Sequence, residues 1–250
     1  MIKVYYPNKQ CCLDVSMTEV TKDSTQKESP KQEQPSRSDF RFIEVVGEGG
    51  YGKVWKVEMA KNKQLYAMKE MSKALVVQKK SVDNVLNELK VLQSLRSPFL
   101  ANVVFAFNDR DNLYLVMDLL PGADLRCRMA YHSKFSEEQA KFLIACIITA
   151  LNYVHKKKIF HRDIKPENLV FDEKGYLRLT DFGIARAEHS KQSLDASGTP
   201  GYMAPEVLCK QIHSYPVDFY AVGIMAHELM LGKVAFLTLR GPTTATIASK

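Results

Sequence analysis

Apolar and polar positions change their rhythm twice along this chain. Between Ser16 and Ser38 the only clearly apolar residues are Met17 and Val20, among Ser, Thr, Lys, Glu, Gln, Asp and Pro. Such a segment cannot bury enough surface to offset its chain entropy, so residues 1–38 read as a disordered arm. From Phe40 the pattern turns β-like: Phe40-Arg41-Phe42-Ile43 leads to Val45-Val46, a glycine cluster, then Val54-Trp55-Lys56-Val57. After Lys61-Asn62-Lys63-Gln64 comes Leu65-Tyr66-Ala67-Met68-Lys69, which makes three short strands joined by turns. Apolar residues at 82, 85, 86, 89, 92 and 95 then follow helical spacing and predict a helix over Val82 to Leu95. Strands are predicted at Val103 to Phe107 and Leu113 to Asp118. Ser136 to His155 reads as a helix opened by the capping-box pattern Ser136-Glu137-Glu138-Gln139. A β-rich part followed by a helical part predicts two lobes with a cleft between them.

Composition narrows the class. The chain has 250 residues, 46% hydrophobic and 25% charged, enough apolar material for one large domain or two small ones. No run approaches the roughly 20 apolar residues of a membrane-spanning helix. The most apolar stretch, Phe142 to Val154, is broken by Thr149 and Asn152 and reads as a buried helix. Met1 to Cys12 lacks the apolar core and cleavage site of a secretory signal, and Ile2 excludes N-myristoylation. The cysteines at 11, 12, 127, 146 and 209 are odd in number and lack metal spacing, as in a reducing compartment. Cys11 and Cys12 could accept palmitate or be two stray thiols. Net charge is +7, of which the arm contributes +1 (six Lys and Arg against five Asp and Glu) and the remainder +6. A basic surface attracts nucleic acid, membrane or nucleotide phosphate, so charge alone decides nothing. The run Lys156-Lys157-Lys158 has no interleaved aromatics and reads as a solvated helix end.

The chemistry lies in short motifs. Gly47-Glu48-Gly49-Gly50-Tyr51-Gly52-Lys53-Val54 fits G-x-G-x-x-G-x-V, in which glycine lets a backbone approach phosphates closely. A plain hairpin turn explains these residues about as well. A dinucleotide fingerprint would lead into a helix, whereas here another strand follows, which favours a glycine flap over nucleotide phosphates. Lys69 ends an apolar strand and Glu88 lies in the helix from Val82; each alone is an ordinary surface charge. As a pair they could aim an ammonium at the α- and β-phosphates. His161-Arg162-Asp163-Ile164-Lys165-Pro166-Glu167-Asn168 matches H-R-D-x-x-x-x-N. Asp181-Phe182-Gly183 follows, then Gly198-Thr199-Pro200-Gly201-Tyr202-Met203-Ala204-Pro205-Glu206. All of these motifs in this order exceed chance.

From about Phe40 to Phe236 the chain resembles the protein kinases. The resemblance implies an α+β, bilobal fold, with a β-rich first lobe with one main helix over residues 39–120 and a mainly helical second lobe over 121–236. It implies ATP and Mg²⁺ as cofactors and proteins as substrates, with no specific nucleic-acid binding. By the resemblance Asp163 is the catalytic carboxylate, and Asn168 and Asp181 are the Mg²⁺ ligands. Lys165 is similar to the lysine that touches the transferred phosphate in serine/threonine kinases. Gly47, Gly49 and Gly52 would cover the phosphates, with Lys69 and Glu88 as the ion pair. Val54 and Ala67 would roof the adenine and Val170 floor it. Met117 resembles the gatekeeper, and the backbones of Asp118 and Leu120 would meet the adenine edge. Asp218 is similar to the aspartate that anchors the catalytic loop, and Leu92, Phe182 and His161 would stack in a spine.

Pro98-Phe99-Leu100, the stretch Met117 to Leu125 and Gly198-Thr199-Pro200 resemble the AGC group, and the Asp-Leu-Leu-x-Gly-x-Asp-Leu-Arg pattern its YANK branch. Asp124, Glu167 and Glu228 fall where basophilic kinases receive substrate arginines, and Asp124 would equally suit a ribose. Asp195 replaces a phosphorylatable threonine and could be a permanent partner for Arg162. The pattern stops after Phe236. On this reading 237–250 is a divergent tail, the last lobe helices and the arginine for Glu206 are missing, and the Asp218 helix exposes an apolar face. A catalytically impaired ATP-binding or decoy module is therefore the alternative. The setting is cytoplasmic, with nuclear or membrane association and oligomeric state left open.

Overall fold

The computed structural model describes residues 35–132, 134–187 and 197–233. The expected tail, Cys11, Cys12 and Asp195 lie outside them, as does the arm up to residue 34. Pro35 to Asp39 are described, and Arg37–Asp39 form a 3-10 turn with Ser36 as its cap. Packing divides the chain into two units. The first runs through Ser81 and includes Val103–Leu119; the second comprises Val82–Asn102 and the residues from Leu120 onward.

The first unit is an antiparallel sheet of β1 (Phe40–Gly49), β2 (Gly52–Met59), β3 (Leu65–Ser72), β4 (Val103–Asn108) and β5 (Asn112–Asp118), ordered β1-β2-β3-β5-β4. The first expected strand forms as β1, and its register on β2 slips at Phe42/Glu44 and Val45/Gly47. Side chains alternate across a strand, so Tyr66 and Met68 of β3 face one way and Ala67 and Lys69 the other. Tyr66 and Met68 join Val57, Tyr114, Val116, Phe107 and Phe40 in an apolar core. Phe107 stacks on Phe40 at 5.8 Å and on Tyr114 at 5.0 Å. Helix α1 (Lys73–Gln78) was not foreseen, because six residues with adjacent valines show no helical period. Ser72 caps it, its Oγ accepting from the Leu75 N–H at 3.4 Å.

The second unit opens with α2 (Val82–Ser94), which buries Val85, Glu88, Leu89, Val91 and Leu92. Then come α3 (Leu125–Tyr131), also not foreseen, and α4 (Glu137–Lys156). Both bonds of the expected capping box form: Gln139 N–H to Ser136 Oγ at 3.2 Å and Ser136 N–H to Gln139 Oε1 at 2.9 Å. The stripe Ala140, Leu143, Ile147, Ala150, Leu151 and Val154 is buried, each large member contributing about 1.5–3 kcal/mol. Short strands β6 (Ile159–Phe160) and β9 (Arg186–Ala187) pair, as do β7 (Leu169–Phe171) and β8 (Leu177–Leu179). Helices α5 (Pro205–Leu208) and α6 (Pro216–Leu231) follow, and α6 and β8 pack on α4. On α6, Phe219, Met230 and Leu231 are exposed. Among the described residues no helix is long and apolar enough to cross a membrane.

Candidate active site

Register groups the candidate residues of the first unit. Lys69 pairs with Val54 on one side and Leu115 on the other, and Val54 pairs with Gly47. The next row pairs Ala67 with Met117, and Asp118 ends β5 opposite Tyr66. Paired residues share a side of an antiparallel sheet, so Gly47, Val54, Ala67, Lys69 and Met117 lie on the face opposite the aromatic core. The three glycines differ. A Cβ on Gly52 would sit 2.0 Å from the Glu70 carbonyl oxygen, so strand pairing alone demands glycine there. On Gly47 or Gly49 a Cβ would meet nothing closer than 3.7 Å or 3.9 Å. Two ties hold the turn between β1 and β2: Ser72 N–H donates to the Tyr51 carbonyl at 2.9 Å, and Lys79 Nζ bonds the Gly50 carbonyl.

In the second unit the segment from His161 to Asn168 carries the catalytic candidates. Thr199 Oγ1 donates to Asp163 Oδ1 at 2.7 Å. Lys165 Nζ lies 2.7 Å from Asp163 Oδ2 and donates to Thr199 Oγ1 at 2.8 Å. Asn168 Nδ2 donates to the Asp163 carbonyl at 2.8 Å and to Oδ2 at 3.2 Å. Burial pulls the Asp163 pKa upward, but the Lys165 ammonium and Thr199 hydroxyl outweigh it and hold the carboxyl below its usual range. Sequence reasoning assigned Thr199 no role of its own; its only signal was the Gly-Thr-Pro triplet.

The segment is fixed from below. Asp218, buried in α6, accepts from the His161 N–H at 2.9 Å, the Arg162 N–H at 2.7 Å and stands 2.8 Å from His155 Nε2. Arg162 takes the left-handed conformation, φ 69°, and its Nε donates to the Ile184 carbonyl at 2.8 Å. His161 packs edge-on against Phe182 at 4.8 Å, and Leu92 is buried in α2.

The β7–β8 hairpin brings the two proposed metal ligands together. Leu169 pairs with Leu179, and Thr180 N–H donates to the Asn168 carbonyl at 2.9 Å, so Asp181 follows directly. The Asn168 amide nitrogen is committed to Asp163, which leaves Oδ1 as its oxygen donor. A Cβ placed on Gly183 would lie 3.2 Å from Asp181 Oδ1 and 3.8 Å from Glu88 Oε2, so both carboxylates flank that glycine. Glu88 is buried, unlike an ordinary surface helix charge. Asp124 bridges to Val170, and its carboxylate caps α3 by accepting from the Cys127 N–H at 2.7 Å. Leu120 follows β5 in a half-buried connection.

Two of the three carboxylates expected to receive substrate arginines, Glu167 and Glu228, are held by an arginine of the chain itself. Arg126 Nε donates to Glu167 Oε1 at 2.8 Å, Nη1 to Glu228 Oε1 at 2.6 Å and Nη2 to the Tyr202 hydroxyl at 2.5 Å. The Tyr202 hydroxyl in turn donates to Glu228 Oε2. Burial would depress the Arg126 pKa, yet the bonds to Glu228 and Glu167 prevail and raise it. Burial and then Glu228 raise that of Tyr202. Sequence reasoning gave Arg126 no part in this.

The Asp163 carboxylate thus bears a hydroxyl, an ammonium and an amide N–H together. Residues 40–248 match the family described as "Protein kinase domain", a match that runs past Phe236. Human serine/threonine-protein kinase 32B is 38% identical over 208 residues, 81% of this chain and 50% of that protein. The cAMP-dependent protein kinase catalytic subunit of Dictyostelium discoideum is 38% identical over 79% of this chain and 30% of its own length. Serine/threonine-protein kinase sgk-1 of Caenorhabditis elegans is 38% identical over 80% of this chain and 44% of its own. The chain thus spans between 30% and 50% of the length of these relatives. It belongs to the protein kinase family, in its serine/threonine, AGC-like part.

Proposed function

We propose that this chain is the catalytic domain of a serine/threonine protein kinase that transfers the γ-phosphate of ATP to protein hydroxyls. The observation that carries this is the alcohol of Thr199 donating to Asp163 while accepting from Lys165. That is the arrangement a substrate hydroxyl needs. Its proton points at a carboxylate held ionised, and the nearby ammonium suits the transferred phosphate. The substrate oxygen attacks the γ-phosphorus, the bond to the β-phosphate oxygen breaks, ADP leaves, and Asp163 accepts the proton.

Asn168 and Asp181 fit a hard cation, since an amide oxygen and a carboxylate are hard donors. Mg²⁺ held there would take its remaining ligands from phosphate and water and neutralise phosphate charge. In the sheet, the glycines at 47 and 49, which the fold does not require, support a backbone approach to phosphates. Val54, Ala67 and Met117 offer a sheet face whose apolar side chains suit adenine. Lys69, on the same sheet face, is assigned to the phosphates. A cytoplasmic setting fits the same reading.

The test is phosphate transfer from labelled ATP to a mixed protein substrate, followed by phosphoamino-acid analysis. Label is expected on serine and threonine, falling about 10²–10⁴-fold in Asp163→Asn. Equal transfer by the variant would overturn the proposal.

A further inference from the structure

We propose that Arg126 is a specificity-determining residue. It is a built-in guanidinium that fills the acidic pocket of Glu167 and Glu228, so this kinase does not select substrates by an arginine at that place.

The pocket has the composition of an arginine receptor. Glu228 is 5% exposed and reaches in from α6; Glu167 comes from the turn Pro166–Asn168, four residues after Asp163; Tyr202 lies three residues after Thr199. Glu167 and Tyr202 are therefore attached to the segments that carry Asp163 and Thr199, and Glu228 to the helix that carries Asp218. Two carboxylates and a phenol would present a strongly negative pocket to an incoming peptide. Planar guanidinium is the cation whose fork of donors such a pocket fits. In this chain the fork is already supplied, one nitrogen to each partner, from the first turn of α3. The site thus keeps a net charge of only −1, and the buried carboxylate is paired from within. The third candidate for a substrate arginine, Asp124, spends a carboxylate oxygen on the α3 cap.

The arrangement forecasts an exchange. A substrate arginine would have to displace Arg126 from a geometry in which the chain itself holds it, without the entropy cost a free peptide pays on binding. With Arg126 removed, the pocket is open and its carboxylates call for a guanidinium from outside.

This inference rests on the kinase reading, and its test separates the two. Arg126→Ala, and Arg126→Gln, which keeps an amide donor toward Glu228, are compared with the unmodified chain. Each is tested against serine peptides in which a single arginine is moved through every position flanking the acceptor. Binding is read by fluorescence anisotropy and by the shift in melting temperature, neither of which needs phosphate transfer; transfer is read separately. The unmodified chain should favour no arginine position by as much as tenfold. Either variant should bind one arginine position at least tenfold more tightly than the unmodified chain does, with a peptide-dependent rise in melting temperature. An unmodified chain that already favours an arginine tenfold would overturn the proposal. So would folded variants that gain nothing. Absent transfer with the binding gain intact would instead count against the kinase reading alone.

Discussion

Asp163 and Asp218 stand at the two ends of one short segment, and they differ in what holds them. Asp218 is 1% exposed and takes two donors from the backbone, with His155 as its third neighbour. Backbone N–H groups cannot swing away, so this carboxylate is locked into the scaffold. Asp163 holds its charge through side chains: the Thr199 hydroxyl, the Lys165 ammonium and the Asn168 amide. Each can rotate aside when another hydroxyl arrives. The same residue type is thus a rivet at one end and, on the proposed function, a reaction centre at the other, and the use of backbone or side-chain partners makes the difference.

That contrast breaks most visibly at the rivet. Asp218→Ala would leave two buried N–H groups and a histidine without their acceptor, and should cost about 3–5 kcal/mol of unfolding free energy in urea titration. A loss below about 1 kcal/mol would mean that water or a neighbour replaces the carboxylate. The glycines sharpen the same distinction in the sheet. Gly52→Ala drives a Cβ into the Glu70 carbonyl and should cost about 1–3 kcal/mol, whereas Gly47→Ala should leave the melting temperature unchanged and weaken ATP binding. The smallest effect concerns pH. A carboxyl whose pKa is lowered on folding adds stability that is complete above its unfolded value of about 3.9 and is lost as the pH falls below it. Replacing Lys165 by Met removes the cation that lowers Asp163, so the variant's urea curves should lose less stability on acidification below that unfolded value than those of the unmodified chain.

Much of this was legible from residue order. The helix over 82–95, the capping box at Ser136 and the strands from Phe40 to Asp118 rest on local periodicity and caps, which the chain carries within a few residues. The proposed role of Asp163 was read from a motif, because phosphoryl transfer constrains spacing tightly. What could not be read depends on distant segments meeting. The contact of Thr199 with Asp163 spans 36 residues, and that of Arg126 with Glu228 spans 102. No periodicity records such a pair, and a lone arginine on a short helix looks like surface charge. Helices α1 and α3 escaped notice because six or seven residues are too few to display a 3.6-residue period. Gly52 shows the converse: it was read with the phosphate-covering glycines, while the structure also gives it a packing reason.

The most direct measurement follows phosphate transfer and thermal unfolding together in Asp163→Asn and the unmodified chain. If the partners of Asp163 are displaceable and its carboxylate accepts the substrate proton, transfer should fall about 10²–10⁴-fold while unfolding free energy changes by no more than about 1 kcal/mol. Unchanged transfer, or a loss of transfer matched by a collapse in stability like that forecast for Asp218→Ala, would contradict it.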